Sequence, residues 1–97
     1  MLFVIHARDK AGSSSVRAEN RDAHITFLRD AGDRLKLAGP LLDDDGSMCG
    51  SLLVYEAGDR IAVERWLDAD PYGQAGLFET VSISGFKPVL GSMAPAS

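Results

Sequence analysis

The chain holds one cysteine, Cys49, in 97 residues, so no internal disulfide can form and no paired-thiol metal or redox centre can be built. Cys49 reads as a small residue packed beside a strand, with a nucleophile as the alternative. Long apolar runs are also missing. The opening "MLFVIHARD" carries only Leu2 to Ile5 ahead of His6, too short for a signal peptide or a membrane span, so a cytoplasmic setting without a membrane partner is expected. There is no excess of positive charge: 10 Lys and Arg face 14 Asp and Glu, a net charge of -4. Phosphate backbones are held by clustered basic residues, so a nucleic-acid partner is excluded and a small-molecule ligand is expected. HExxH, a glycine-rich phosphate loop leading into a helix and a GxSxG elbow are all absent. The three consecutive acids Asp43 to Asp45 lack the spaced ligands of a calcium loop and read as a solvated loop. No metal and no cofactor are expected.

What is present is an ordinary globular composition, 45% hydrophobic and 25% charged, sufficient for a single domain over residues 1–97. Its core is expected over about 1–90, with a frayed tail at 91–97. "LFVIHAR" is a strand by its β-branched and aromatic content, closed by the loop "DKAGSSS", one of whose serines can cap the next helix. That helix runs to about Ala31 and stops at Gly32. "DRLKLAGPL" alternates Leu35, Leu37 and Gly39 against Arg34, Lys36 and Ala38, a half-buried strand ended by Gly39-Pro40. "GSLLVYEA" is a central strand. "GDRIAVERWLDAD" places Val63, Trp66, Leu67 and Asp70 on one helical stripe, with Asp59 as N-cap and an end at Asp70, before Pro71. A last strand follows the "DPYGQAG" turn.

The order β-α-β-β-α-β predicts an α+β, ferredoxin-like domain: one four-stranded antiparallel sheet with both helices on one face. On the last strand, Phe78, Thr80, Ser82, Ser84 and Phe86 are expected on the uncovered face. Their mixed character suggests burial against a second copy, a homodimer, with a tolerated semi-polar surface as the alternative.

At about 100° per residue, the positions within roughly 60° of His24 on the first helix are Arg17, Asn20, Arg21, Phe27, Leu28 and Ala31. The later half of this stripe is ordinary core. The earlier half carries two arginines, an asparagine and a histidine, while Asp22, Thr26 and Asp30 lie opposite and face solvent. Inward polar groups need partners, so the early half reads as the wall of a cleft. His24 is then either a hydrogen-bonded packing residue or an acid/base group flanked by anion-binding arginines.

An acid/base imidazole needs an acceptor to orient its second nitrogen. Asp70 is the best candidate and Asp9 a weaker one. Alternatively, Asp70 begins an Asp-Pro turn and bonds its own backbone. His6 shares a strand face with Leu2, Val4 and Arg8, and the sequence does not say which face meets the helices.

The stretch "MLFVIHARDKAGSSSVRAENRDAHITFL", with Arg21 and His24 in an R-x-x-H pattern, "AGP" at Ala38 to Pro40, "GSLLV" from Gly50, and "DADPYGQAGLFETVSISGFKPV" resemble the YciI-like proteins, the YCII-related domain family. His6 stands where relatives often have an aromatic residue. The resemblance implies a dimeric α/β barrel similar to the muconolactone-isomerase group, and a His-Asp pair at His24 and Asp70. It also implies chemistry akin to that of a relative that dehydrochlorinates a chlorinated hydroxyquinol. The expected function is a cofactor-free lyase or isomerase acting on a small anionic cyclic or aromatic-derived substrate. His24 and Asp70 are its catalytic pair, and Arg17, Arg21, Ser51, Tyr72 and His6 contact substrate. The alternative is a non-catalytic dimeric module that binds a small ligand or a partner.

Overall fold

The computed structural model describes residues 1–94; the final positions of the expected tail, 95–97, lie outside the described residues. Four strands, β1 (Leu2–Asp9), β2 (Leu35–Leu42), β3 (Met48–Glu56) and β4 (Phe78–Phe86), form one sheet in the order β2-β3-β1-β4. All three pairings are antiparallel. The 17-residue helix α1 (Ser14–Asp30) connects β1 to β2, and α2 (Arg60–Leu67) with the single turn α3 (Pro71–Gln74) connects β3 to β4. The architecture is the ferredoxin-like α+β arrangement.

Strand alternation sorts the two faces of the sheet. Phe3 and Ile5 of β1 and Leu53 and Tyr55 of β3 are buried, and with Val63 of α2 they form the core. Leu28, Ala31, Leu35, Trp66, Leu67 and Ile83 pack around them. A stack of three rings closes the gap between the helices: Trp66 lies 3.9 Å from Tyr55 and 4.8 Å from Phe27. Leu2, Val4, His6 and Arg8 take the other face of β1, which the helices leave uncovered.

Local chemistry sets the ends of these elements. Asp59 caps α2, its carboxylate accepting from the Ala62 amide at 2.8 Å. Ser13 takes the N-cap position of α1, but its hydroxyl makes no capping bond. Gly32 follows α1 at φ 59°, a left-handed conformation that suits glycine. The acidic loop after β2 is exposed and closed by its own bonds, with Asp45 Oδ1 accepting from the amide and hydroxyl of Ser47 at 2.9 and 2.7 Å.

Three expectations are corrected, two of them by bulges. Leu35 and Leu37 do not share a face: a register shift between them pairs Leu35 with Tyr55 but Leu37 with Val54. Phe78 is not on the uncovered face. β1 and β4 shift register between Arg8 and Asp9, so that Asp9 pairs with Phe78 while Arg8 pairs with Thr80. The extra residue, Glu79, turns Phe78 toward the helices, where its ring meets Tyr72 edge-on at 6.2 Å. The third correction concerns length. β2 runs through Gly39-Pro40 to Leu42, and α2 stops at Leu67 rather than Asp70. Pro40 is tolerated because β2 is an edge strand, whose outer side has no ladder partner for a backbone N–H.

Gly50 marks the tightest backbone approach. A Cβ there would run into the Ala7 carbonyl oxygen and come within 2.9 Å of Leu41 Cδ1, whereas one at Gly39 meets nothing within 4 Å. The Ala7 oxygen cannot yield without parting β1 from β3. Gly50→Ala is expected to lower unfolding free energy by about 1–3 kcal/mol, and Gly39→Ala to cost under about 1 kcal/mol, both read by urea denaturation.

Candidate active site

His24 lies on the inward face of α1, and only 6% of its surface is exposed. Its Nδ1 is 2.7 Å from Asp70 Oδ1. Asp70 comes not from the end of α2, as the helical stripe predicts, but from the N-cap of α3. There the same Oδ1 accepts from the Tyr72 amide at 3.0 Å. Pro71 explains the placement: it holds Asp70 in extended geometry (φ -67°, ψ 120°) and occupies the first helical position without needing an N–H partner. The two readings of Asp70, turn initiator and partner of His24, therefore hold together in one atom. Asp70 Oδ2 is buried with no partner among the described residues.

The Tyr72 ring stacks on the His24 imidazole, 3.8 Å between centroids and 16° between planes. His24 Nε2 makes no hydrogen bond among the described residues. A cavity of about 200 Å³ lies beside it. Arg17, Arg21, Tyr72, Ser51 and Leu53 line it together with Ile25 and Leu28 of α1, Ala38, Gly39 and Pro40 of β2, and Met48. A larger cavity of about 470 Å³ lies between α2 and β4 and shares only Ser51 and Leu53 with the first. It also touches Asp70, but it lacks His24, Arg17, Arg21 and Tyr72, so the inward polar side chains of α1 open on the smaller one.

The two arginines have different circumstances. Arg17 is 6% exposed and committed to protein partners. Its Nε and Nη2 donate to Asp9 Oδ2 and Oδ1 at 2.7 and 3.0 Å, and Nη2 also reaches the Gly50 carbonyl at 2.8 Å and Ser51 Oγ at 2.9 Å. Burial alone would lower the guanidinium pKa, but Asp9, with a smaller share from Tyr72, outweighs it and holds the group above its ordinary value. Arg21 is exposed at the cavity mouth and forms no ion pair among the described residues. Asn20, expected on the cleft wall, instead donates back to the Val16 carbonyl at 2.9 Å.

His6 is not brought to this site. It is exposed on the helix-free face of the sheet, paired with Leu52 and Ser82, opposite in sense to the wall that carries His24. Cys49 donates to the Leu41 carbonyl at 3.6 Å, and desolvation with nearby Asp43 pushes its thiol up, the wrong direction for a nucleophile. No three His, Cys, Asp or Glu side chains among the described residues gather as a metal-ligand set. Sequence reasoning missed the Asp9–Arg17 pair. The available signal was an acidic residue closing a strand whose inward neighbours are apolar.

The YCII-related domain family matches over residues 1–87. The chain belongs to the YCII-related domain family. Protein YciI of Escherichia coli O6:H1 is 42% identical over 98 residues, covering 92% of this chain and 99% of that protein. A similar solved structure is 5-chloro-2-hydroxyhydroquinone dehydrochlorinase (TftG) of Burkholderia phenoliruptrix, in complex with 2,5-dihydroxybenzoquinone. It is 33% identical, covers 98% of this chain and 100% of its own, and superposes with a TM-score of 0.84. An antibiotic biosynthesis monooxygenase, 14% identical with a TM-score of 0.55 over 91% of this chain and all of its own, shares the fold. No helix among the described residues is long and apolar enough to cross a membrane.

Burial pushes the Tyr72 phenol up, against an opposing pull from Arg17. The folded state therefore keeps this proton at a pH where the unfolded chain has released it. Stability is expected to fall as pH rises through the ordinary tyrosine value of 10.0. Denaturation curves across this alkaline range check it: Tyr72→Phe should flatten the fall.

Proposed function

We propose that this protein is a small cofactor-free acid/base enzyme of the lyase or isomerase kind, with His24 as the proton-transfer group. The observation that carries this reading is the 2.7 Å bond between His24 Nδ1 and Asp70 Oδ1, which leaves Nε2 unbonded beside a cavity whose Arg21 has no ion-pair partner among the described residues. With Nδ1–H donated to the carboxylate, Nε2 holds a lone pair and acts as a base. Once it takes a proton, the Asp70 charge stabilises the imidazolium.

A cavity of about 200 Å³ with apolar walls fits a molecule the size of one substituted ring. Arg21 at its mouth supplies the positive charge for an anionic substituent, or for charge that develops as the proton leaves. Arg17, already neutralised by Asp9, supports the wall, and Ser51 is occupied by Arg17, so Arg21 and Tyr72 carry most of the polar recognition. Loss of a proton and a leaving group gives the lyase outcome, and return of the proton to another carbon gives the isomerase outcome. The likeness to a dehydrochlorinase of 5-chloro-2-hydroxyhydroquinone supports the former.

The protein works, in this reading, as a homodimer in the cytoplasm. The helix-free face of the sheet exposes Leu37 and Phe86, 45% and 48% accessible, next to half-buried Leu2, Val4, Leu52 and Val54. Such a patch suits a second copy of itself, and His6 would then lie in the interface. Phe86→Glu is expected to shift the sedimentation coefficient to the monomer value; a monomeric wild type overturns this assembly.

His24→Ala is expected to lower turnover of chlorinated hydroxyquinols or related cyclic anions by about 10²- to 10⁴-fold with the fold retained by circular dichroism. Full activity in that variant would sink the acid/base reading. Asp70→Asn keeps an acceptor for the Tyr72 amide but removes the charge facing His24. A comparable loss is expected, along with the disappearance of a downfield Nδ1 proton signal from the NMR spectrum.

A further inference from the structure

One hydrogen bond fixes a point on an imidazole but not its plane. His24 is held at Nδ1 by Asp70 and through Cβ by α1, which leaves the ring a rocking motion that tilts its plane and shifts Nε2. The contact that limits this tilt is the stack on Tyr72, at 3.8 Å and 16°. Tyr72 is held in turn by Phe78 edge-on at 6.2 Å and by the Arg17 guanidinium, whose carbon lies 4.7 Å from the ring centre.

We propose that Asp9 is a positioning residue for His24, acting through Arg17 and Tyr72. Arg17 has three acceptors, but the Gly50 carbonyl and Ser51 hydroxyl are neutral. Asp9 is its carboxylate, accepting two bonds from a guanidinium when each side chain is only 8% exposed. Two parallel bonds define a plane as well as a position, so Asp9 sets how the guanidinium lies on Tyr72. Without that charge, a buried cation would be left with neutral partners alone, a costly state that favours its withdrawal toward solvent and frees the Tyr72 ring.

The fold delivers this arrangement with one bulge. The register shift after Arg8 pairs Asp9 with Phe78, and both meet the helix side of the sheet. One irregularity thus aims two supports at one ring. The inference rests on the acid/base reading for its catalytic meaning, while its geometry can be tested without substrate.

Asp9→Asn, nearly isosteric, is examined in the ligand-free full chain by NMR of the His24 ring protons, which sense the ring current of Tyr72. The expected result is displacement of both resonances, largely restored in Asp9→Glu. Val63→Ala, a core change remote from this column, is the control: it should lower stability and leave the His24 resonances in place. Resonances in Asp9→Asn that stay put, or move no further than in Val63→Ala, overturn the proposal. If Asp9→Asn does not fold, Arg17→Lys replaces it, since an ammonium keeps the charge but not the planar fork; unmoved His24 resonances there overturn it equally. With a substrate in hand, kcat should fall about 10- to 10²-fold in Asp9→Asn, with KM changing less. A moved ring in a protein without turnover would retire the acid/base reading and leave the positioning role standing.

Discussion

Asp70 Oδ1 accepts two hydrogen bonds, one from the backbone of the turn it begins and one from an imidazole on a separate helix. At 1% exposure it does so out of contact with water. Both bonds are stronger for being dry, and each fixes the geometry of the other. The amide bond sets the carboxylate relative to α3, and therefore relative to the Tyr72 ring that α3 carries. The imidazole bond then ties α3 to α1. The three groups that define the candidate site thus come from two elements joined at one atom, and the sheet beneath serves mainly to hold those elements at the required distance.

Beside this junction, charge is divided between two arginines four residues apart on one helix face. Arg17 is consumed by Asp9, a carbonyl and a hydroxyl, and is as much a part of the interior as Leu53. Arg21, one turn later, reaches the cavity mouth with no ion-pair partner among the described residues. Nothing in residue type separates them. The difference lies in what stands opposite: the end of β1 faces Arg17, and the mouth of the cavity faces Arg21.

This explains what was legible in the sequence. Element order, the central place of β3 and the inward polar half of α1 follow from periodicity, because regular elements repeat with a fixed angle and each residue predicts the next. His24 stood out because it broke such a repeat. Asp70 was legible as a residue but not as a position: extending α2 to reach it gave the right side of the molecule through the wrong element. The faces of Leu37 and Phe78 were not legible, since a bulge shifts alternation by one residue and leaves no mark in composition. The separation of His6 from His24 depends on pairings across the sheet that only the folded chain reveals, whereas Asp9 carries a faint mark, an acid closing a strand with apolar inward neighbours.

The cavity beside His24 has walls of unequal standing. One side is α1 and Tyr72, tied into the core and the dyad. The other is Ala38, Gly39 and Pro40, on the edge strand, with Met48 at the start of β3. None of these four belongs to the buried core, and Gly39 has open space where a side chain would go. Changes there would reshape the chamber while leaving the bonded His24–Asp70 pair alone. A scaffold built this way can keep one buried polar pair and vary the shape of the space beside it by editing a single outer strand.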